Sequence, residues 1–172
     1  MADPSALVVA QELHQAGKLD EAIDAYLAVI KADRSLLDAW HLLAMAYTQA
    51  ERYPQALSTL NQAIALDSTQ VGFYNSRANV LLRLDRIEDA ITTLQEAIAM
   101  APDYAVAHNT LGRCYYLQQA WKLAEQQYQQ AITLDDDFPQ AHYNLALLFL
   151  QQDQLESAIE QLNKTIALQP DF

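Results

Sequence analysis

The sequence predicts an all-α fold made of five consecutive helix-turn-helix repeats. Three observations point to it. First, side chains recur at intervals of 34 residues: Ala22, Ala56, Ala90, Ala124 and Ala158 form one column, and Ile30, Ile64, Ile98, Ile132 and Ile166 another. A third column reads Tyr26, Leu60, Leu94, Tyr128 and Leu162, and a fourth holds only small residues, Ala10, Ala44, Ala78, Gly112 and Ala146. A fixed period of this length marks a repeat architecture. Second, apolar residues inside each period are spaced by three and four, as one face of a helix requires. Third, 3 Gly and 5 Pro in 172 residues leave little material for tight β-turns, while Ala, Leu, Gln and Glu favour helix.

Taken in order, the first repeat runs from Asp3 to Leu36, with Asp3 placed as a helix cap and Pro4 at the first helical position. The second, Leu37 to Gln70, shows the division into two helices most clearly. Trp40, Leu43, Ala44 and Tyr47 mark the first helix, and a turn follows around Gln49 to Tyr53. Pro54 then opens the second, whose face is Ala56, Leu57, Leu60, Ala63 and Ile64. The third repeat, Val71 to Tyr104, carries Pro102 just past its second helix, where it stops the helix. The fourth spans Ala105 to Phe138, and the fifth spans Pro139 to Phe172 and repeats the stop signal at Pro170. The small-residue column has a physical reason: two helices joined by a short turn cross closely only where one side chain is nearly absent. The large residues beside it, Trp40 or Tyr74 and Tyr26 or Tyr128, fill the remaining space. The repeats account for residues 3–172 as a single domain, and no linker is expected.

Charge narrows the function. A net charge of −12 opposes nucleic acid, because phosphate backbones are bound by Lys and Arg that neutralise them. It equally opposes an anionic membrane surface. The longest strongly apolar stretch, Leu145 to Leu150, is far too short to span a bilayer, so no membrane association is expected. The opening Met-Ala-Asp-Pro-Ser lacks the basic-then-apolar pattern of a secretory signal. The lone Cys114 forms no internal disulfide, and a cytoplasmic location is expected.

The residues Leu111, Gly112, Tyr115, Ala124, Tyr128 and Ala131, with Tyr74, Ala78, Ala90, Ala97 and Pro102 in the preceding repeat, resemble the tetratricopeptide repeat family. The resemblance covers the whole chain. Local departures are Ala6 and Leu13 where aromatics are usual, Arg77 in place of Leu, and Glu125 in a column of Ile23, Leu57, Ile91 and Ile159. It implies a right-handed α-solenoid of about ten helices whose concave face is lined by the first helix of each repeat. Stability in such an array is a sum of nearest-neighbour stacking terms. It further implies a protein-interaction scaffold that binds an extended or helical peptide in that groove.

Projected onto the concave face, the candidate peptide contacts are His41, Asn75, Asn79, Arg83, Asn109, Arg113, Tyr116, Tyr143 and Asn144, with Met45, Thr48, Leu82 and Leu147 among them. The set holds two arginines and no carboxylate, whereas acids such as Asp20, Glu21, Asp24, Glu88, Asp89, Glu156 and Glu160 fall in second helices or loops. The expected groove is therefore neutral to slightly basic, suited to an uncharged or mildly acidic ligand. An Asn offers both donor and acceptor, so it can bond a partner's backbone whatever the partner's side chains. The family's carboxylate clamp for acidic chaperone tails is absent: of its required positions only Asn79 is met. Its asparagine ladder is also missing, the column reading Val8, Leu42, Ser76, Thr110 and Asn144.

No catalytic group, metal site or cofactor is expected, and the chain is read as a non-enzyme. His108 and His142 share the aromatic column and lie too far apart to share a zinc ion, which needs ligand atoms at about 2 Å. They read as replacements for Trp40 and Tyr74. Asp135, Asp136 and Asp137 read as a solvated turn, and Cys114 as a buried small residue. Arg77 is expected to lay its stem on the core and send its head to solvent or an acid. The last helix, with Ile159, Leu162 and Ile166, is expected to lack an outer neighbour. That points to a chain cut from a longer protein, for example the substrate-recognition arm of a glycosyl- or methyltransferase, or to self-association through the C-terminal repeat.

Overall fold

The structure is a computed structural model that describes residues 4–171; the cap expected at Asp3, and Phe172, lie outside the described residues. Among the described residues there are ten α-helices and no strand. They are α1 Pro4–Gln15, α2 Leu19–Ala32, α3 Leu37–Gln49, α4 Tyr53–Leu66, α5 Val71–Arg83, α6 Ile87–Met100, α7 Ala105–Leu117, α8 Trp121–Leu134, α9 Pro139–Gln151 and α10 Leu155–Leu168. The all-α helix-pair architecture is the one the columns predict. No helix among the described residues is long and apolar enough to cross a membrane.

Two compact units make up the chain, one ending at Asp85 and the other beginning at Arg86. In unit 1 each of α1 to α4 packs on the helix that follows it, and α1 also reaches α3. Its core joins Ala10, Ala22, Tyr26, Leu43, Leu60 and Val80. In unit 2 each of α6 to α9 packs on the next, and α7 reaches α9. Its core centres on Ala124, Tyr128, Leu145, Leu148 and Phe149. Burying a side chain of Leu, Ile or Phe size contributes about 1.5–3 kcal/mol, so these contacts between sequence neighbours hold each unit together.

The turns explain where helices stop. Within a repeat the first helix ends in a left-handed residue, at Gly17 (φ 73°), Glu51 (57°), Asp85 (57°), Gln119 (59°) and Asp153 (58°). The next amide then closes back onto the helix: Arg52 N–H donates to Tyr47 O at 2.8 Å, Ala120 to Tyr115 at 2.9 Å, and Gln154 to Phe149 at 2.9 Å. This six-to-one bond is a Schellman closure, which occupies carbonyls the helix end leaves open. Pro54, expected to open α4, sits second, because Tyr53 already adopts helical conformation. A proline is tolerated there for the same reason, since its missing N–H has no intrahelical partner.

After the first and the second repeat the connection is an aspartate-centred turn. Asp33 Oδ1 accepts from Ser35 N–H at 3.0 Å and Ser35 Oγ at 2.6 Å. Asp67 Oδ1 repeats this with Thr69, at 2.9 and 2.6 Å, and its Oδ2 accepts from Gln70 Nε2. These bonds hold both carboxyls below the usual carboxylate range.

Candidate functional site

The first helix of each repeat has two working faces, and the buried one is structural. Trp40 Nε1 donates to Arg34 O at 2.9 Å, and Tyr74 Oη donates to Ser68 O at 3.1 Å. His108 Nε2 lies 3.0 Å from Pro102 O, and His142 Nε2 3.1 Å from Asp136 O. In every case a ring tip reaches the carbonyl six residues earlier and fastens the turn between repeats to the helix that follows. A carbonyl only accepts, so in this bond Nε2–H of each imidazole is the donor. Nδ1 of each faces a glutamine side-chain oxygen on the paired helix, Gln127 Oε1 at 2.9 Å and Gln161 Oε1 at 2.7 Å. His108 and His142 thus stand in for Trp40 and Tyr74, as the column predicts.

Arg77 also meets the aromatic column. Its guanidinium carbon stands 5.1 Å from the centroid of Tyr74, three residues earlier on α5. The head therefore packs on a ring face, where a cation is attracted by the negative quadrupole.

The second face carries the candidate contacts. In unit 1, His41 on α3 has Nε2 2.8 Å from Ser76 Oγ on α5, and its ring stands edge-on to Phe73 at 5.4 Å. Burial pushes its pKa down, against the opposing pull of Asp38, so the ring is neutral near pH 7. Asn79 Nδ2 donates to its own helix, at Asn75 O, 3.1 Å away. Asn79 also lines a cavity of about 200 Å³ with Met45, Thr48 and Ser76. Asn75 is half-buried, and its Oδ1 is enclosed with no hydrogen-bond donor among the described residues. Arg83, at the end of α5, is exposed.

In unit 2 the amides bond each other. Gln140 Nε2 donates to Asn144 Oδ1 at 3.0 Å, and Asn144 Nδ2 donates to Asn109 Oδ1 at 2.9 Å. Asn109 is only 7% exposed, so it acts by orienting Asn144. The columns place these residues apart, because they run at 34 whereas this bond and the His41–Ser76 contact join residues 35 apart. Gln140 joins them through Asn144, four residues later on the same helix, an i, i+4 amide pair that the sequence itself displays. Arg113 on α7 is exposed, without an ion pair among the described residues. Tyr116 is half-buried, edge-on to Trp121 at 5.4 Å. Tyr143 on α9 is half-buried.

Elsewhere, Cys114 is fully buried and burial pushes its thiol up to about 12. Asp135, Asp136 and Asp137 are exposed, Asp135 accepting from Asp137 N–H at 3.2 Å. Among the described residues no group of three or more His, Cys, Asp or Glu is placed to hold a metal ion.

Comparison with known proteins agrees with this geometry. No curated protein matches the chain in sequence. Among solved structures, the thermophilic TPR protein TTC0263 of Thermus thermophilus overlays with a TM-score of 0.85 at 24% identity, covering 97% of this chain and 91% of that one. A crystal structure of MamA gives 0.75 at 25% identity, over 94% and 95%. YrrB, described as a TPR protein with an unusual peptide-binding site, gives 0.65 at 23%, over 96% and 86%. Two tetratricopeptide repeat family models match, one at residues 75–139 and 121–171, the other at residues 13–71. With its helix pairs, its small-residue column and these matches, the chain belongs to the tetratricopeptide repeat family.

Proposed function

We propose that the chain is a protein-interaction module that holds an extended or helical polypeptide segment against the second face of its first helices. In unit 2 the contacts are Arg113, Tyr116, Tyr143 and Asn144, with Asn109 as the positioning group behind Asn144. In unit 1 they are His41, Asn75, Asn79 and Arg83. The supporting observation is the amide relay from Gln140 through Asn144 to Asn109, beside an exposed Arg113. A polar group already oriented by its neighbours loses little entropy on binding. Arg113 adds an uncommitted cation, and the tyrosines add amphipathic area with few rotors. YrrB's peptide-binding site is a precedent within the fold.

The test selects dodecapeptides from a displayed random library on the intact chain and measures their affinity, expected on the order of micromolar. The double variant Arg113→Ala, Tyr143→Ala should lose at least about tenfold, because each anchor of this kind contributes on the order of 1 kcal/mol or more. Its far-UV helical signal should be unchanged. Equal binding by wild type and variant would remove the site.

A second reading, self-association, rests on α10. Leu155, Ile159 and Ile166 are 57%, 58% and 59% exposed along one side of this helix. Exposed apolar patches of this kind mark association surfaces. Sedimentation equilibrium of the chain and of Ile159→Glu tests it: a concentration-dependent dimer that the variant abolishes supports the reading, and a monomer throughout ends it.

A further inference from the structure

Unit 1 contains a second cavity, on a different side of α3 from His41 and Met45. Its volume is about 540 Å³, and it opens between α2 and α4. Trp40, Leu43 and Tyr47 of α3 form its floor, Lys31 and Arg34 stand on one wall, and Ser58 and Gln62 of α4 line the other. No carboxylate lines it, in a chain of net charge −12.

Unit 2 contains the same cavity three repeats later, about 610 Å³ between α8 and α10 over α9. Its residues lie 102 positions further on, three repeats of 34, so the two can be compared wall by wall. The floors match in kind: His142, Leu145 and Phe149 replace Trp40, Leu43 and Tyr47. The walls do not. Lys31 becomes Thr133, Arg34 becomes Asp136, Ser58 becomes Glu160 and Gln62 becomes Lys164. The unit 1 cavity carries two cations; its twin carries two carboxylates and one cation. Repeat packing explains the shared shape, but it does not explain cations gathered in one copy only.

The cations of unit 1 are also uncommitted. Arg52 is held by Asp20 at 2.6 Å, and Lys18 lies 3.5 Å from Glu21. Lys31 and Arg34 have no such partner among the described residues. Arg34 nevertheless sits on a fixed backbone, since its carbonyl accepts from the Trp40 indole at the cavity floor. The site thus presents two positive groups beside an apolar, aromatic base, within the size range of ligand pockets. Charge-assisted bonds to carboxylate are the strong kind, and a guanidinium binds carboxylate through two parallel N–H groups.

We propose that this cavity binds an acidic peptide segment, its carboxylates on Lys31 and Arg34 and an apolar side chain on Trp40 and Tyr47. The site is separate from the amide face of the proposed function. The experiment titrates the intact ¹⁵N-labelled chain with an acetylated and amidated Glu-Glu-Leu-Glu-Glu peptide and follows the two indole resonances, assigned with Trp121→Phe. The Trp40 indole N–H, bonded to Arg34 O, should shift with saturation while that of Trp121 stays. Lys31→Thr with Arg34→Asp, which installs the residues of the twin cavity, should weaken binding at least about tenfold, since two charge-assisted bonds are removed. Both residues are exposed, and thermal melting confirms that the fold is kept. Arg113→Ala with Tyr143→Ala should leave this affinity unchanged. The proposal is overturned by absence of a saturable Trp40 shift, by equal affinity in the Lys31/Arg34 variant, or by loss in the Arg113/Tyr143 variant. It is also overturned if free glutarate binds as tightly as the peptide, which would make the cavity a small-anion site.

Discussion

Gly112 on α7 lies directly against the ring of Tyr128 on α8: a Cβ added at Gly112 would stand 2.7 Å from both Cδ1 and Cε1. Both atoms belong to a side chain that is 2% exposed and closed in on all sides, so the ring has nowhere to go. Three other repeats pair Ala with Leu in the same two columns, as Ala44 with Leu60 and Ala146 with Leu162, while the first repeat pairs Ala10 with Tyr26. Gly112→Ala should therefore destabilise by about 1–3 kcal/mol, the usual cost of overpacking. Tyr128→Leu also costs stability by opening a void. The double variant recreates a pair found elsewhere in the chain and should be more stable than the sum of the two losses predicts. Urea midpoints of the four proteins give the coupling; strict additivity would show that the ring and the glycine do not constrain each other.

The indole of Trp40 ties Arg34 O to α3, as the ring tips of Tyr74, His108 and His142 tie their own turns. Trp40→Phe keeps a ring but removes the donor. Loss of about 1–2 kcal/mol is expected from the unpaired carbonyl and the reduced area. Amide exchange should report it locally: protection of the turn amides near Leu36 falls more than that of α4. Uniform loss of protection would contradict the tethering role.

Much of the fold was legible in the sequence because packing between neighbouring repeats needs the same volumes at each crossing. Ala22, Ala56 and Ala124 are all fully buried where the column put them. His108 was readable as a ring in an aromatic column, but not its bond to Pro102 O, since nothing in residue type specifies a partner six positions back. The candidate site was less legible. Asn109 and Asn144 stand in different columns, and only the lean of α9 on α7 brings them together. The left-handed turns were invisible for a simpler reason. Gly17 announces such a backbone, whereas Glu51 and Gln119 adopt it without any preference for it.

That conformation yields a further prediction. Gln119, at φ 59°, holds a Cβ in a region that costs ordinary L-residues about 1–2 kcal/mol. Asp85 and Asp153 bear it more easily, since short polar side chains tolerate the left-handed region. Gln119→Gly should raise stability by about 0.5–1 kcal/mol, after the added freedom of the unfolded chain is subtracted. The corresponding change at an ordinary helical position, such as Gln126, should lower stability by about 1 kcal/mol. A loss at both sites, read from urea midpoints, would mean that the turn carries no strain to relieve.

Cys114 offers a probe of opening. It is 0% exposed, and burial drives its pKa up to about 12, outweighing the pull of Arg113 toward thiolate. The thiolate is the reactive form, and at about pH 8 almost none is present in the folded state. Reaction with a disulfide reagent should be slow in buffer and complete at once in denaturing urea. Its native rate should rise in Gly112→Ala by about tenfold for every 1.4 kcal/mol of stability lost, because the reagent traps the open form. Fast labelling of the folded wild type would place Cys114 at the surface.

Asp67 supplies a pH test whose sign is fixed by the turn. Its side-chain bonds from Thr69 and Gln70, with the Thr69 amide, hold the folded carboxyl below the ordinary value of 3.8. A group depressed on folding stabilises the protein above its unfolded pKa. That contribution is lost as pH falls through the lower folded value. Asp67→Asn keeps an acceptor for Thr69 but no charge. It should be less stable than wild type at about pH 7, with the gap constant down to about pH 5 and closing below about pH 4. Acid also neutralises the other carboxylates of this chain and relieves their mutual repulsion, but that change is common to both proteins and cancels in the difference. Asp33, bonded to Ser35 in the same way, should behave alike in Asp33→Asn. Parallel denaturation midpoints across the whole range would mean that the charge on this turn contributes nothing, and that the hydroxyl bond alone shapes it.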